Sequence, residues 1–105
     1  NKEKVRPDAL TTASNQAVAQ TVAQTPGAIG YVGHGYLTNK VKDVTVDGVK
    51  CTKQNIQSGT YPLARELYMY TNGKPSGNVA RFVEFVLSRD GQKLVEEEGF
   101  VDVLK

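Results

Sequence analysis

The stretch from Thr25 to Leu37, TPGAIGYVGHGYL, constrains this chain more than any other. Pro26 has no backbone N–H and cannot continue a helix, so a helix arriving from upstream must stop at Pro26-Gly27. The residues that follow are apolar and few, as in a short strand, yet they include Gly30, Gly33 and Gly35. Glycine weakens a strand interior and packs nothing there. Glycines this dense predict a backbone that bends, bulges or lies close against another segment.

The remaining elements follow from pattern and punctuation. Ser14 to Gln24 predicts a helix, capped by the hydroxyl of Thr12 or Ser14, with a narrow apolar stripe of Ala13, Ala17, Val18 and Val22. Ala28 to Gly35 predicts the first strand. Val41 to Val46 sets Val44 and Val46 against Asp43 and Thr45, a half-exposed strand pattern, and Asp47-Gly48 then signals a tight turn toward Val49–Cys51. Thr52 is placed to cap a short helix over Lys53 to Ser58, ended by Gly59.

Tyr61 to Thr71, YPLARELYMYT, reads as the strongest strand. Leu63, Leu67 and Met69 share one face with Arg65; Ala64, Tyr68 and Tyr70 share the other with Glu66. Both faces are partly apolar, as in a strand covered on two sides. Asn72 to Gly77 has the composition of a loop. A second long helix starts near Ser76 or Asn78, where Val79, Phe82, Val83, Val86 and Leu87 recur at helical spacing, widened by Ala80 and Phe85. Ser88 caps a further helix over Arg89 to Glu98, with Leu94 and Val95 inward and Gly99 as its stop. Phe100, Val101, Val103 and Leu104 are expected to dock on the core. The mixture predicts an α/β (mixed α+β) class, a small mixed sheet with about three to four helices. Residues 1–11 form an expected flexible N-terminal segment, and 12–105 a single domain.

At 105 residues with 39% hydrophobic content, a chain of this kind has one modest core. Its formal net charge of +2 is spread among interleaved acidic and basic residues, which argues against nucleic acid and anionic membranes. No run approaches the ~18 apolar residues of a membrane span. The polar opening at Asn1 predicts a piece cut from a longer chain.

Catalytic and metal chemistry find little to stand on. His34 is the single histidine and Cys51 the single cysteine. Nothing in the spacing joins His34 to Ser14, Cys51 or Asp43 as a triad requires, and one His with one Cys cannot complete a metal site. Cys51 reads as a structural thiol. Asp43 and Asp47 lack the other oxygen ligands of a calcium loop, and Gly73-Lys74-Pro75-Ser76 fails the spacing of a phosphate loop. Glu96-Glu97-Glu98 reads as a solvated helix end. The helix start at Ser14, Asn15 and Gln16 is the one anion-site candidate with a mechanism, since free N–H groups and polar side chains there suit an oxyanion. Every helix has such an end, so this feature alone does not establish binding.

Four stretches, taken together, carry a resemblance. They are SNQAVAQTVAQTPGAIGYVGHGYL (Ser14 to Leu37), VKDVTVDGV (Val41 to Val49), YPLARELYMYTNGKPSG (Tyr61 to Gly77) and FVEFVLSRDGQKLVEEEGFVDV (Phe82 to Val103). In this order they resemble the phosphate-specific solute-binding proteins of ABC importers, within the periplasmic-binding-protein class. The last stretch is class-wide; PGAIGY together with YPLARELYMYT narrows the resemblance to the phosphate group. It implies a non-enzymatic, cofactor-free, two-lobed protein outside the cytoplasm, lipid-anchored or secreted. Its lobes close on dehydrated phosphate, held by hydroxyls, helix-start N–H groups and an arginine, and the loaded protein docks on a membrane permease. Tyr61 to Thr71 would be the strand crossing between lobes, and the helices from Asn78 would cover a sheet.

The departures matter as much. The family's Ser-Gly-Thr and arginine motif and its first-lobe Ser/Thr loop belong upstream of the Ser14 helix, and this sequence has neither. Arg6, Arg65, Arg81 and Arg89 do not sit in the matching context. Cys51 stands where the family more often has proline. The resemblance therefore implies a C-terminal portion lacking the main phosphate ligands, binding inorganic phosphate weakly or not at all by itself, with Ser14, Asn15 and Gln16 as candidates at the cleft. Two other readings stay open: a stand-alone interaction module contacting a protein through Tyr68, Tyr70 and the Asn72–Gly77 loop, and a His34-dependent hydrolase.

Overall fold

The computed structural model describes residues 3–104. α1 spans Asn15–Gln24, and the Ser14 hydroxyl accepts from the Ala17 N–H at 3.1 Å. That bond satisfies one of the first-turn donors for which a helix has no internal partner. α2 spans Lys53–Gln57 and begins in the same way, with the Thr52 hydroxyl accepting from Asn55 N–H. α3 spans Gly77–Leu87 and α4 spans Arg89–Glu97, with Ser88 as the hinge between them. The Ser88 N–H closes α3 on the Phe85 carbonyl, while its hydroxyl opens α4 by accepting from Gly91 N–H. Gly99, at φ +86°, stops α4. Its N–H bonds Glu96 O and the Phe100 N–H bonds Val95 O, the paired bonds of a Schellman ending.

The helices therefore lie where capping residues and stop signals put them. The small mixed sheet does not form among the described residues. Its single ladder element is an isolated antiparallel bridge in which Val46 and Val49 exchange N–H···O bonds of 3.0 and 2.9 Å. Between them Asp47 and Gly48 have φ of 49° and 78°, the double left-handed turn that suits a tight hairpin. The expected strand over Ala28–Gly35 is irregular and runs into a 3₁₀ turn at His34–Tyr36. Tyr61–Ala64 closes a turn, with Ala64 N–H on the Tyr61 carbonyl, and 65–71 has no regular structure. Alternating side chains suit a segment to a pleated surface, but a strand also needs a neighbour for its backbone groups. These segments have none among the described residues.

The apolar stripes likewise do not close over a shared core. No described hydrophobic residue is fully buried, and Phe82, Phe85, Leu94 and Phe100 are all substantially exposed. The chain exposes 9272 Å², where a compact protein of this mass exposes roughly 5,800 Å². Its radius of gyration is 16.6 Å, against roughly 13 Å for a compact domain of this length.

What does converge is polar. Gln92, at the start of α4, donates to the Val86 carbonyl and accepts from the Val103 N–H, both at 2.8 Å. Gln57 of α2 donates to the carboxylate and carbonyl of Asp102 and to the Leu104 carbonyl. Lys53 pairs with Glu96 and Asp102. Gln92 and Asp102 are the buried polar side chains of the described residues. The C-terminal segment thus docks through Asp102 and its backbone, whereas Val103 and Leu104 stay exposed. Leu94, expected inward, is half exposed for the same reason: Gly91 and Gln92 occupy the inner side of α4.

Glu3 to Thr11, most of the expected flexible segment, is exposed and carries a turn where Arg6 pairs with Asp8. Asn1 and Lys2 lie outside the described residues.

Candidate functional site

The glycine-rich segment lies close to other parts of the chain at each glycine, as its composition predicts. A Cβ on Gly30 would meet Val18 Cγ1 at 2.8 Å and Val22 Cγ2 at 3.0 Å, so the absence of a side chain lets the segment lie against α1. The Gly33 N–H donates to Asn15 Oδ1 at 3.2 Å, fastening it to the first residue of α1. Gly35 rests directly on the backbone of Gly99, and its N–H donates to the Gly99 carbonyl at 3.0 Å. Tyr36 covers Gly99 and donates its hydroxyl to the Glu98 carbonyl. The segment thus joins the start of α1 to the end of α4.

The structure accordingly holds two of the three sequence candidates in place. Ser14 is the cap, with its hydroxyl oxygen engaged by Ala17 N–H and its own proton available to donate. Asn15 is half-buried and commits its carbonyl oxygen to Gly33, which points its amide NH₂ away from that bond. Gln16 is exposed. The N–H groups of Asn15 and Gln16 precede any intrahelical bond and are free donors. No acidic residue occupies the first turn, so the positive end of the helix dipole is not neutralised there. These donors can receive an oxyanion. An arginine or lysine is not among them, so the charge of a phosphate would be met by dipoles alone.

Beside this end of α1, a cavity of about 90 Å³ is lined mainly by Val18, Val22, Ile29, Val32, Leu37 and Val44. Its apolar walls do not suit a phosphate. His34 opens the 3₁₀ turn, and its carbonyl accepts from Leu37 N–H; Ser14, the hydroxyl a triad would need, is engaged in capping α1. No group of three or more metal-ligating side chains gathers among the described residues. Cys51 is a half-buried free thiol. None of the described helices is long and apolar enough to cross a membrane.

The profile described as a PBP superfamily domain matches residues 2–90 of the sequence. The chain belongs to the PBP superfamily. Among curated members, it is 37% identical over 98 residues to the phosphate-binding protein PstS of Bacillus subtilis, an alignment covering 91% of this chain and 33% of that protein. It is 35% identical over 103 residues to the phosphate-binding protein PstS of Borreliella burgdorferi, covering 93% and 37%. With the phosphate-binding protein PstS of Pseudomonas aeruginosa the identity is 37% over 110 residues, covering 95% and 34%. This PBP superfamily chain spans about a third of the length of the curated relatives it matches. No solved structure matches it significantly.

The sequence did not point to Gly33 as a partner of Asn15, nor to the polar junction of Gln57, Gln92 and Asp102. The glycine spacing carried a signal for the first, since a close approach brings backbone N–H groups within reach of neighbouring side chains. No pattern signalled the second, because long-range amide bonds leave no local periodicity.

Proposed function

We propose that this chain is the C-terminal portion of the substrate-binding component of a phosphate ABC importer, a non-enzymatic protein that captures inorganic phosphate outside the cytoplasm and delivers it to a membrane permease. The observation that carries this reading is its identity of more than a third with phosphate-binding proteins across nearly its whole length. The site supports a secondary role in ligand capture. Ser14, Asn15 and Gln16 present hydroxyl, amide and backbone donors at the positive end of α1, suited to an anion's periphery. Without a cationic partner these donors compete poorly with water, so the chain by itself binds phosphate weakly or not at all.

Calorimetric titration with inorganic phosphate tests affinity, and an NMR titration tests the place. The expected result is no micromolar binding, with shifts at millimolar phosphate centred on residues 14–17. Micromolar binding by this chain alone, or shifts centred elsewhere, would contradict the assignment. A second reading, a stand-alone protein-interaction module, draws on the exposure of Tyr68 and Tyr70. A gene neighbourhood lacking permease and ATPase components would favour it.

A further inference from the structure

The segment 65–71, RELYMYT, combines every property of a strand except a neighbour. Glu66 and Tyr68 lie on the same side of the backbone, with the Tyr68 hydroxyl donating to the Glu66 carboxylate at 2.9 Å, as the two-residue period of an extended chain requires. Leu67 and Met69 alternate with Tyr68 and Tyr70, and all four are exposed, Tyr70 at 91% and Leu67 at 71%. Apolar groups thus face both sides. A strand at the edge of a one-layer sheet would alternate polar with apolar; a strand apolar on both faces belongs inside a sheet covered above and below. Among the described residues no backbone bond joins 65–71 to another segment. The chain's surface exceeds that of a compact fold of its mass by roughly 3,500 Å², the size of an obligate interface.

Three facts decide what covers it. The chain's relatives are about three times as long as the region they share with it. A second copy offers an irregular segment of the same kind, not a sheet into which one could insert. An isolated two-strand pairing is also only marginally stable in water. Resting on the fragment reading above, we propose that residues 65–71 insert as an interior strand into a sheet supplied by the complementary part of a PBP superfamily protein, the part corresponding to the length of the relatives that this chain does not span. Main-chain bonds on both edges would hold the strand, with Leu67 and Met69 entering one layer and Tyr68 and Tyr70 the other.

The test mixes this chain with the portion of the Bacillus subtilis phosphate-binding protein outside the matched region, and follows amide hydrogen exchange and mass. Alone, amides 65–71 are expected to exchange without protection. In the mixture, a 1:1 complex is expected in which their exchange slows by at least about a hundredfold. Leu67→Pro, which removes a ladder donor, is expected to abolish the complex, while Lys74→Ala in the neighbouring loop leaves it intact. The proposal is overturned by protection of 65–71 in the chain alone, by a symmetric dimer that protects them, by a complex that leaves them unprotected, or by no complex. Phosphate affinity of the complex is measured separately. Its absence would sink the phosphate reading and leave strand insertion standing.

Discussion

Gly35 lies on the backbone of Gly99, with its N–H 3.0 Å from the Gly99 carbonyl oxygen. One glycine belongs to the segment that follows α1 and the other terminates α4, so this bond ties the two halves of the described chain together. A Cβ on Gly35 would overlap the Gly99 Cα and carbonyl, which are backbone atoms that cannot rotate away. Gly35→Ala is therefore expected to cost about 1–3 kcal/mol of local stability. Gly30→Ala meets only the methyl groups of Val18 and Val22 and is expected to cost less. Exchange at the Gly35 amide reads the difference; equal protection in both variants would contradict it.

Asn15 carries the second tie. Removing its side chain leaves the partly buried Gly33 N–H without an acceptor, so Asn15→Ala is expected to destabilise the junction by about 1 kcal/mol. Asn15→Asp keeps an oxygen for Gly33 and adds favourable charge at the helix start, so the Gly33 bond is expected to survive. It also places a negative charge where phosphate is proposed to sit. Asp at this position should thus preserve the Gly33 amide shift while erasing phosphate-induced shifts at Gln16 and Ala17. Retention of those shifts would separate Asn15 from the anion site.

Helices were legible in the sequence because their signals are local. Ser14, Thr52 and Ser88 each cap the helix they precede, and Gly99 stops the one before it. The Asp47-Gly48 turn was legible on the same grounds. Strands were not, because the Leu67/Met69 and Tyr68/Tyr70 alternation describes a surface to be covered but not the neighbour that covers it. The glycine segment was half legible: close approach followed from Gly30, Gly33 and Gly35, but a strand did not. Of the candidate site, the Ser14 cap could be read directly, whereas the contact from Asn15 to Gly33 depends on how the chain returns.

Gln92 is the most deeply buried polar side chain described, at 4% exposure. Its amide serves the Val86 carbonyl and the Val103 N–H together. Gln92→Ala leaves both without partners, and the expected cost is about 1–3 kcal/mol. Gln92→Glu keeps an acceptor for Val103 but offers no donor to Val86 when ionised. The order of Val103 amide protection should therefore be wild type, then Glu, then Ala. Unchanged protection in the Ala variant would show that the C-terminal segment is held by Gln57 and Asp102 alone.

The ammonium of Lys53 joins α2 to α4 and the C-terminal segment. Its hydrogen bond to Glu96, and then that to Asp102, raise its pKa above the ordinary 10.5. For a cation whose folded value is raised, the stabilisation is complete below the unfolded value and is lost as pH rises through the folded one. The attachment of α2 is therefore expected to be constant through neutral pH and to weaken only in strong alkali, above 10.5. NMR titration of the Lys53 side chain should give a midpoint above that of Lys93, whose contact with Glu97 is long at 3.9 Å and solvent-exposed. Glu96→Gln removes the largest cause of the shift and should bring the Lys53 midpoint down toward the ordinary value. Glu97→Gln should leave it in place. A Lys53 midpoint that does not respond to Glu96→Gln would mean that the pair does not persist in solution, and that Gln57 alone fastens α2 to Asp102.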